Sequence, residues 1–591
     1  MTPRGTGMIY AMGRVLNYAL APRHLLVLSL MGSASLARAD ALDDYIREQM
    51  RKRDVPGLSL AVVDGGKIVE TRCYGVLEKG TGRKVTPSTL FQAGSISKSV
   101  AAVGALRLVE KGVLSLDDDI NDKLRSWKVP ASPFAKDQKV TLRRILSHTA
   151  GMTVHGFPGY ATDVPTPTLV QVLNGAAPAN TPAIVVDQVP GTEWRYSGGG
   201  YTVMQQMMLD VTGESFPEYM RTNVLVPAGM TDSSYEQPQP AERATRTAAG
   251  TEQDGSVVKG RWHLYPEMAA AGLWTTPTDL ARFIIAIQRS FAGNPGSVLK
   301  STTAAEMLTD QKSGDGLGVF LQGSGNGARF THSGRDEGFD ALFVGSVRTG
   351  QGVAVMVNAN VDAPLLDRIV QEMAAKYRWP EYPSPPAKPT VVAVPQSEIR
   401  ARAGNYSSGG QTLTLIEAKG RLEAHSGLPY LDDVLPIGKE EFVLPEFGRK
   451  AAFDKDAFVL RGGGGQPESR FTKITGALND LKVRTDPIGA RAESVRQFFE
   501  AAPAGGNAIA NASYLTPGAQ KDFRAGLGEL AKFDAMGFLG EVDVTDRGVS
   551  RHGSKVVRIT EYRVRSHGKI LYAIVFFAEG GLITDFDVVP G

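Results

Sequence analysis

Three short clusters in this chain pair a nucleophile or proton carrier with the glycines needed to approach it. The first is Ser95-Ile96-Ser97-Lys98. A serine hydroxyl is a poor nucleophile at neutral pH, and a lysine three residues further along a helix shares its face and can take its proton. The same spacing recurs at Ser256 and Lys259, Ser297 and Lys300, and Ser566 and Lys569, so context must decide. Behind Ser95 the apolar run from Val100 to Val109 is long enough for a buried helix, and Gly94 in front permits a tight entry. Ser95 is therefore expected at a helix N-terminus, where free N–H groups and the helix dipole favour a developing oxyanion. Ser256 lies in a polar, Gly-flanked stretch, Ser297 follows Asn-Pro-Gly, and Ser566 falls at an expected strand end. The competing reading of Ser95 is a helix N-cap beside a solvated lysine.

The second cluster, Glu193 to Gly198, puts Tyr196 in a Gly-rich loop ahead of a helical run from Tyr201 to Val211. A tyrosine there can accept or relay the serine proton if nearby cations lower its pKa. The third, His332-Ser333-Gly334-Arg335, ends a strand with a polar or cationic residue, a hydroxyl and a glycine that admits a ligand's backbone. Taken singly each is commonplace, since tyrosine usually packs and a lone histidine is more often structural than catalytic. None of the 8 histidines stands in a metal-ligand spacing, so neither a metal site nor a cofactor is expected.

The elements that must position these clusters read as an α+β fold. Leu58–Asp64 and Lys67–Tyr74, joined by Gly65-Gly66, predict a β-hairpin. A helical middle extends from Ser95 to about Ile287, and strands return at 328–332, 341–347 and 352–358 before a helix from Pro364 to Tyr377. The reading is one antiparallel five-stranded sheet closed by both ends of the domain, flanked by helices, with an all-helical subdomain between. Six prolines between Pro380 and Pro395 mark an extended linker. Alternating segments over 398–485 predict a small antiparallel β-barrel. Beyond about 490 helical stretches (494–501, 520–533) precede strands at 555–559, 561–565 and 569–577, an α+β module of ordinary size. The expected domains are thus 1–39, 40–379, 380–397, 398–485 and 490–591.

Composition narrows the partners. With 591 residues, 21% charged, and a formal net charge of +3, nothing points to nucleic acid. Arg14 and Arg23 precede the apolar stretch from Leu25 to Met31, and Ala37-Arg38-Ala39 is a small-x-small cleavage site. A signal peptide cleaved after Ala39 is expected, with a periplasmic or secreted product and no stable membrane span. A single cysteine, Cys73, rules out an intrachain disulfide.

The order Ser-x-x-Lys, Tyr-x-x, His-x-Gly, at separations of about a hundred residues, resembles the serine β-lactamase and penicillin-binding-protein superfamily. More closely it resembles the class C β-lactamase-like branch, with its D-aminopeptidases, DD-carboxypeptidases and carboxylesterases. The stretches from Leu114 to Ile120, Leu142 to Gly151 and Ala270 to Leu280 look like landmarks of that branch. The resemblance covers about 40–377. It implies a β-lactamase/transpeptidase-like fold, with Ser95 as the acylated nucleophile and Lys98 as its base. Tyr196 matches the tyrosine that carries a proton to the leaving group, and His332, the fourth catalytic residue the resemblance implies, stands where many members carry lysine and others histidine, there to tune Tyr196 electrostatically or bind substrate. Ser333, Gly334 and Arg335 would bind substrate, the oxyanion hole being the N–H groups of Ser95 and Arg335. His148, in Ser147-His148-Thr149, falls in what the family uses as a structural turn, so it stays outside the catalytic set.

Two departures bear on substrate. Gly198 occupies the third position of the tyrosine motif, where members acting on β-lactams or peptides usually carry asparagine, and His332 replaces lysine. Both count against an efficient β-lactamase. An exported serine hydrolase is expected, acting through an acyl-enzyme on a small D-amino-acid peptide or amide, or on an ester. The alternatives are a weak β-lactamase or penicillin-binding protein, and a non-catalytic binding protein that retains the fold. Arg335 can anchor a substrate carboxylate by a bidentate contact or be an ordinary solvated arginine.

Overall fold

The computed structural model of the protein describes residues 41–590, apart from 253–254, 362–363, 409–410, 426–429, 463–467, 475–488, 502–508, 510–511, 523–532, 544, 546–549, 552–553 and 567–568. The expected signal segment, 1–39, lies outside the described residues. Residues 41–48 are helical and belong to a unit of their own, and the second unit, Gln49–Gly591, holds all three clusters.

The predicted hairpin forms as β1 (Gly57–Asp64) and β2 (Lys67–Gly75), turning through Gly65 and Gly66, both at positive φ. Glycine is the residue that enters that region without a Cβ clash, which is what a two-residue hairpin turn requires. The chain returns to the same sheet much later as β3 (Phe320–Gln322), β4 (Arg329–Asp336), β5 (Phe339–Ser346) and β6 (Gly352–Val357). The order is β2-β1-β6-β5-β4-β3, antiparallel throughout. Leu58 faces Val357 and Val63 faces Gly352 across the β1–β6 seam, so the two ends of the domain close one sheet. The five expected strands gain a sixth, β3, at the edge. Its three residues are too few for an alternation to show in sequence.

Four helices flank the sheet and the site: α1 (Ile96–Glu110), α2 (Gly198–Thr212), α3 (Pro277–Phe291) and α4 (Pro364–Lys376). Helix α1 is buried on every side from Ile96 through Leu106, which is why its sequence reads as a continuous apolar run rather than an amphipathic stripe. Helix α3 packs on β1, β5 and β6, and it approaches closely because Gly345 and Gly352 face Ile284. A Cβ at either glycine would lie 2.8 Å from Ile284 Cγ2.

Residues 380–395 carry no helix or strand. The stretch is nonetheless held at both ends. Arg329, at the start of β4, donates to the Glu381 carbonyl (3.3 Å) and lies 4.6 Å over the Tyr382 ring. Near the other end the Val392 N–H donates to the Pro436 carbonyl at 3.0 Å. The barrel follows as eight antiparallel strands, from Gly404–Ser408 to Ser469–Ile474, with the last pairing to the first. Tyr406, Leu415, Leu422, Val434, Phe442 and Phe458 belong to its buried apolar core.

In the last module the helix Gly489–Ala501 buries Val495, Phe498 and Phe499 in one core with Tyr562, Val575 and Phe577. Two expectations are corrected there. The separate strands at 555–559 and 561–565 are one continuous strand, Ser554–Ser566; its midpoint Thr560 is fully buried, and a β-branched threonine sits comfortably inside a strand. The helix expected over 520–533 is seen as Pro517–Asp522, its middle lies outside the described residues, and Phe533 already opens the strand Phe533–Asp543.

Candidate active site

Gly94 turns the chain at φ +51°, and Ser95 follows it at the N-cap position of α1. The Ser95 side chain makes no capping hydrogen bond, so its hydroxyl is left to other partners. Lys98, almost completely buried at 1% exposure, points its Nζ back along the same helix face and donates to Ser95 Oγ at 2.9 Å. A second bond, 2.8 Å to the Ala270 carbonyl, fixes the amine in place. Burial pushes the Lys98 ammonium down to about 7, although the Asp336 carboxylate pulls the other way. A lysine poised near neutrality can take a proton along the line on which it now donates one.

Tyr196 is placed by a backbone zipper. Arg195 N–H donates to the His148 carbonyl (2.8 Å), Gly198 N–H to the His155 carbonyl (3.0 Å) and Gly199 N–H to the Val154 carbonyl (3.0 Å). Ser197 Oγ caps α2 by accepting from Gly200 N–H and itself donates to the Thr153 carbonyl. His148, at φ +54°, accepts the Ser197 N–H on Nδ1 at 3.1 Å, and its ring lies 4.2 Å from that of Tyr196. Burial holds this imidazole neutral, well below its usual pKa. The Tyr196 hydroxyl reaches Ser95, and Lys98 Nζ lies 5.0 Å over the phenol ring. The condition for accepting the Ser95 proton, a Tyr196 pKa lowered by nearby cations, is not met. Burial raises it well above its ordinary value, and the bond to Ser95 offsets only part of that. Tyr196 is therefore a protonated phenol, suited to give or relay a proton rather than to act as a phenolate.

The third cluster lies on β4, where alternate residues share a face. His332, Gly334 and Asp336 are buried, while Ser333 and Arg335 are exposed. Burial brings the His332 pKa down to about 3, reinforced by the charge on Lys98. Its Nδ1 must carry a proton, because it bonds the Ser333 carbonyl at 2.5 Å and a carbonyl can only accept. His332 is thus a neutral ring 6.3 Å from Tyr196, not a cation. Gly334 lies flush against the turn before Ser95. A Cβ there would fall 1.8 Å from the Ala93 carbonyl oxygen and 2.9 Å from Ser95 N, and a Cβ on Gly94 would fall 2.3 Å from Arg335 N. The backbone N–H groups of Ser95 and Arg335 accordingly border one seam, the arrangement an oxyanion needs. The Arg335 side chain does not reach into that seam. Its fork is bidentate to Asp340 (2.8 and 2.7 Å), its register partner on β5, so the expected carboxylate anchor is already engaged within the protein.

Two contributors escaped the sequence reading. Asp336 accepts the Gly94 N–H at 3.2 Å and ties β4 to the entrance of α1. Period-two alternation from His332 through Gly334 would have found it. The Ala270 carbonyl that holds Lys98 carries no side-chain signal at all. Among the described residues no three His, Cys, Asp or Glu side chains gather as a metal site.

A sheet closed by both ends of its domain, with a serine–lysine helix packed against β4, has counterparts among known proteins. The family model described as Beta-lactamase matches residues 42–375, more than half of the sequence. The chain belongs to that family, and with it to the serine β-lactamase and penicillin-binding-protein superfamily of serine hydrolases. It is 27% identical over 380 residues to penicillin-binding protein 4 of Amycolatopsis lactamdurans, covering 60% of this chain and 94% of the relative. It is 24% identical over 330 residues to the protein flp of Staphylococcus aureus (strain N315), covering 54% of this chain and 63% of that protein. The match to flp thus spans less than two thirds of that relative's length. In fold it is similar to the octameric penicillin-binding protein homologue from Pyrococcus abyssi, with a TM-score of 0.50 at 22% identity, over 74% of this chain and all of the other.

Proposed function

We propose that the chain is an exported serine hydrolase that forms an acyl-enzyme on Ser95, with a small ester or a D-amino-acid peptide or amide as substrate. The observation that carries this reading is the 2.9 Å bond between Ser95 Oγ and a buried Lys98 whose pKa falls to about 7. Neutral Lys98 accepts the Ser95 proton as Oγ attacks the substrate carbonyl carbon. The resulting oxyanion lies in the seam between the N–H groups of Ser95 and Arg335, and losing one such donor typically costs about a hundred- to thousandfold in rate. When the tetrahedral adduct collapses, the bond from carbonyl carbon to leaving group breaks. The Tyr196 hydroxyl gives the leaving group a proton and regains one from the Lys98 ammonium. Water then attacks the ester on Ser95 and passes a proton to the Tyr196 and Lys98 pair; the bond from carbonyl carbon to Ser95 Oγ breaks, the pair returns that proton to Oγ, and the acid departs.

A second reading is the same chemistry on a penicillin, favoured by the name of the Amycolatopsis relative and disfavoured by Gly198 and by the neutral His332. Export rests on the leader read in residues 1–39 and is checked by the N-terminus of the mature protein, expected at Asp40. The central test mixes the protein and its Ser95→Ala variant with p-nitrophenyl acetate before steady state. A burst of nitrophenolate equal to the enzyme concentration is expected in the first and none in the second. Equal release from both would discard the acyl-enzyme.

A further inference from the structure

The side of the site beyond Tyr196 is walled by rings. Three of the donors beside it are engaged internally: Ser197 Oγ by the Thr153 carbonyl, Gly198 N–H by the His155 carbonyl and Gly199 N–H by the Val154 carbonyl. Gly198 adds no side chain, and the direction one would take is filled. A Cβ there would lie 3.0 Å from the Phe157 ring edge and 3.0 Å from the His155 carbonyl oxygen. His155 is exposed, and its ring stands 4.8 Å from that of Tyr196, the phenol that reaches Ser95. The loop is held hard against the motif although Val154 sits at φ +63°, a region that β-branched residues avoid.

We propose that Phe157 and His155 form an aromatic wall that selects substrates carrying a planar or hydrocarbon group beside the reacting carbonyl, a specificity that rests on the acyl-enzyme reading above. Rings in offset or edge-on contact gain from a flat apolar partner, while a polar group set against the Phe157 ring loses water and meets Ser197, Gly198 and Gly199 donors that are already engaged. Methylene-sized differences in such pockets are worth roughly 10- to 200-fold in kcat/KM. The substrate class this favours is an ester of an aromatic or aliphatic acid or alcohol, or an amide of such an acid.

The test uses the full chain and two matched series. One holds the p-nitrophenyl leaving group constant and varies the acyl group (acetate, butyrate, phenylacetate, N-acetylglycinate). The other holds the acetyl group constant and compares benzyl with ethyl esters, whose leaving alcohols are nearly equal in acidity. In at least one series the wild type is expected to favour the aromatic or longer member by about tenfold or more in kcat/KM. Phe157→Ala should erase that preference by raising KM at little cost in kcat, with Phe157→Leu intermediate. Should Phe157→Ala fail to fold, as judged by its melting curve, His155→Ala reads the same wall from its exposed side. A flat selectivity profile in the wild type, or a preference unchanged in folded Phe157→Ala and His155→Ala, overturns the proposal. Absence of a Ser95-dependent burst with p-nitrophenyl acetate would instead overturn the acyl-enzyme itself, so the two failures are distinct.

Discussion

At the scale of single residues, the site depends on holding a lysine near neutrality. Burial disfavours the ammonium and Asp336 favours it, and burial wins, leaving Lys98 at about 7 against a usual 10.5. Only the free amine can take the Ser95 proton, so kcat/KM should rise with pH through about 7 and then level off. Tyr196, shifted upward, adds no falling limb near neutrality. Asp336→Asn keeps an oxygen for the Gly94 N–H but removes a carboxylate that favours the ammonium when ionised, although burial raises its own pKa well above the usual range, so the rising limb should move to lower pH. Asp336→Ala also orphans the buried Gly94 N–H, at a cost of about 1–3 kcal/mol, and should lower the plateau as well. Profiles of the three proteins, measured with one ester, check both effects; a limb that stays put in Asp336→Asn would separate Asp336 from Lys98.

At the scale of elements, catalysis would need a strand and a helix N-terminus in backbone contact. Gly334 makes this possible without any unusual dihedral of its own: the constraint is space, since a methyl would meet the Ala93 carbonyl and Ser95 N. Gly334→Ala should therefore pry β4 from the turn and cut the acylation rate by about a hundredfold or more, with the melting temperature changing far less; pre-steady-state burst rates measure it. The same contact explains what sequence could and could not tell. Ser95 and Lys98 were legible because their relation is local, one turn of one helix. The hairpin and the returning strands were legible through period-two alternation and a Gly-Gly turn. The 153–157 loop, His148 under Tyr196 and the Ala270 carbonyl were not, because each acts across tens of residues and through main-chain atoms that every residue type shares. The ion pair of the Arg335 side chain was out of reach for a related reason: its partner Asp340 lies on the next strand, reached only once the β4–β5 register is known.

At the scale of the whole molecule, the hydrolase domain and the barrel share a buried ionic contact. Lys52 donates to Asp433 at 2.6 Å and to the Tyr430 hydroxyl at 3.1 Å, with 5% and 12% side-chain exposure for the charged pair, while Arg53 donates to the carbonyls of Tyr430 and Leu431. Asp433→Ala would take the carboxylate away from this buried ammonium, so a loss of about 3–5 kcal/mol is expected. Lys52→Met combined with Asp433→Leu should recover most of it; denaturant melts of the single and double variants decide. One property of the site reaches beyond its own boundaries. Above neutral pH Lys98, His332 and Tyr196 are a free amine, a neutral imidazole and a protonated phenol, Asp336 behind them is buried with its pKa raised, and the chain's formal net charge is only +3. Such a centre exerts little long-range pull on an approaching molecule. Encounter with an uncharged ester should then be ordinary diffusion, and kcat/KM at pH 8 should stay nearly flat from low to high ionic strength.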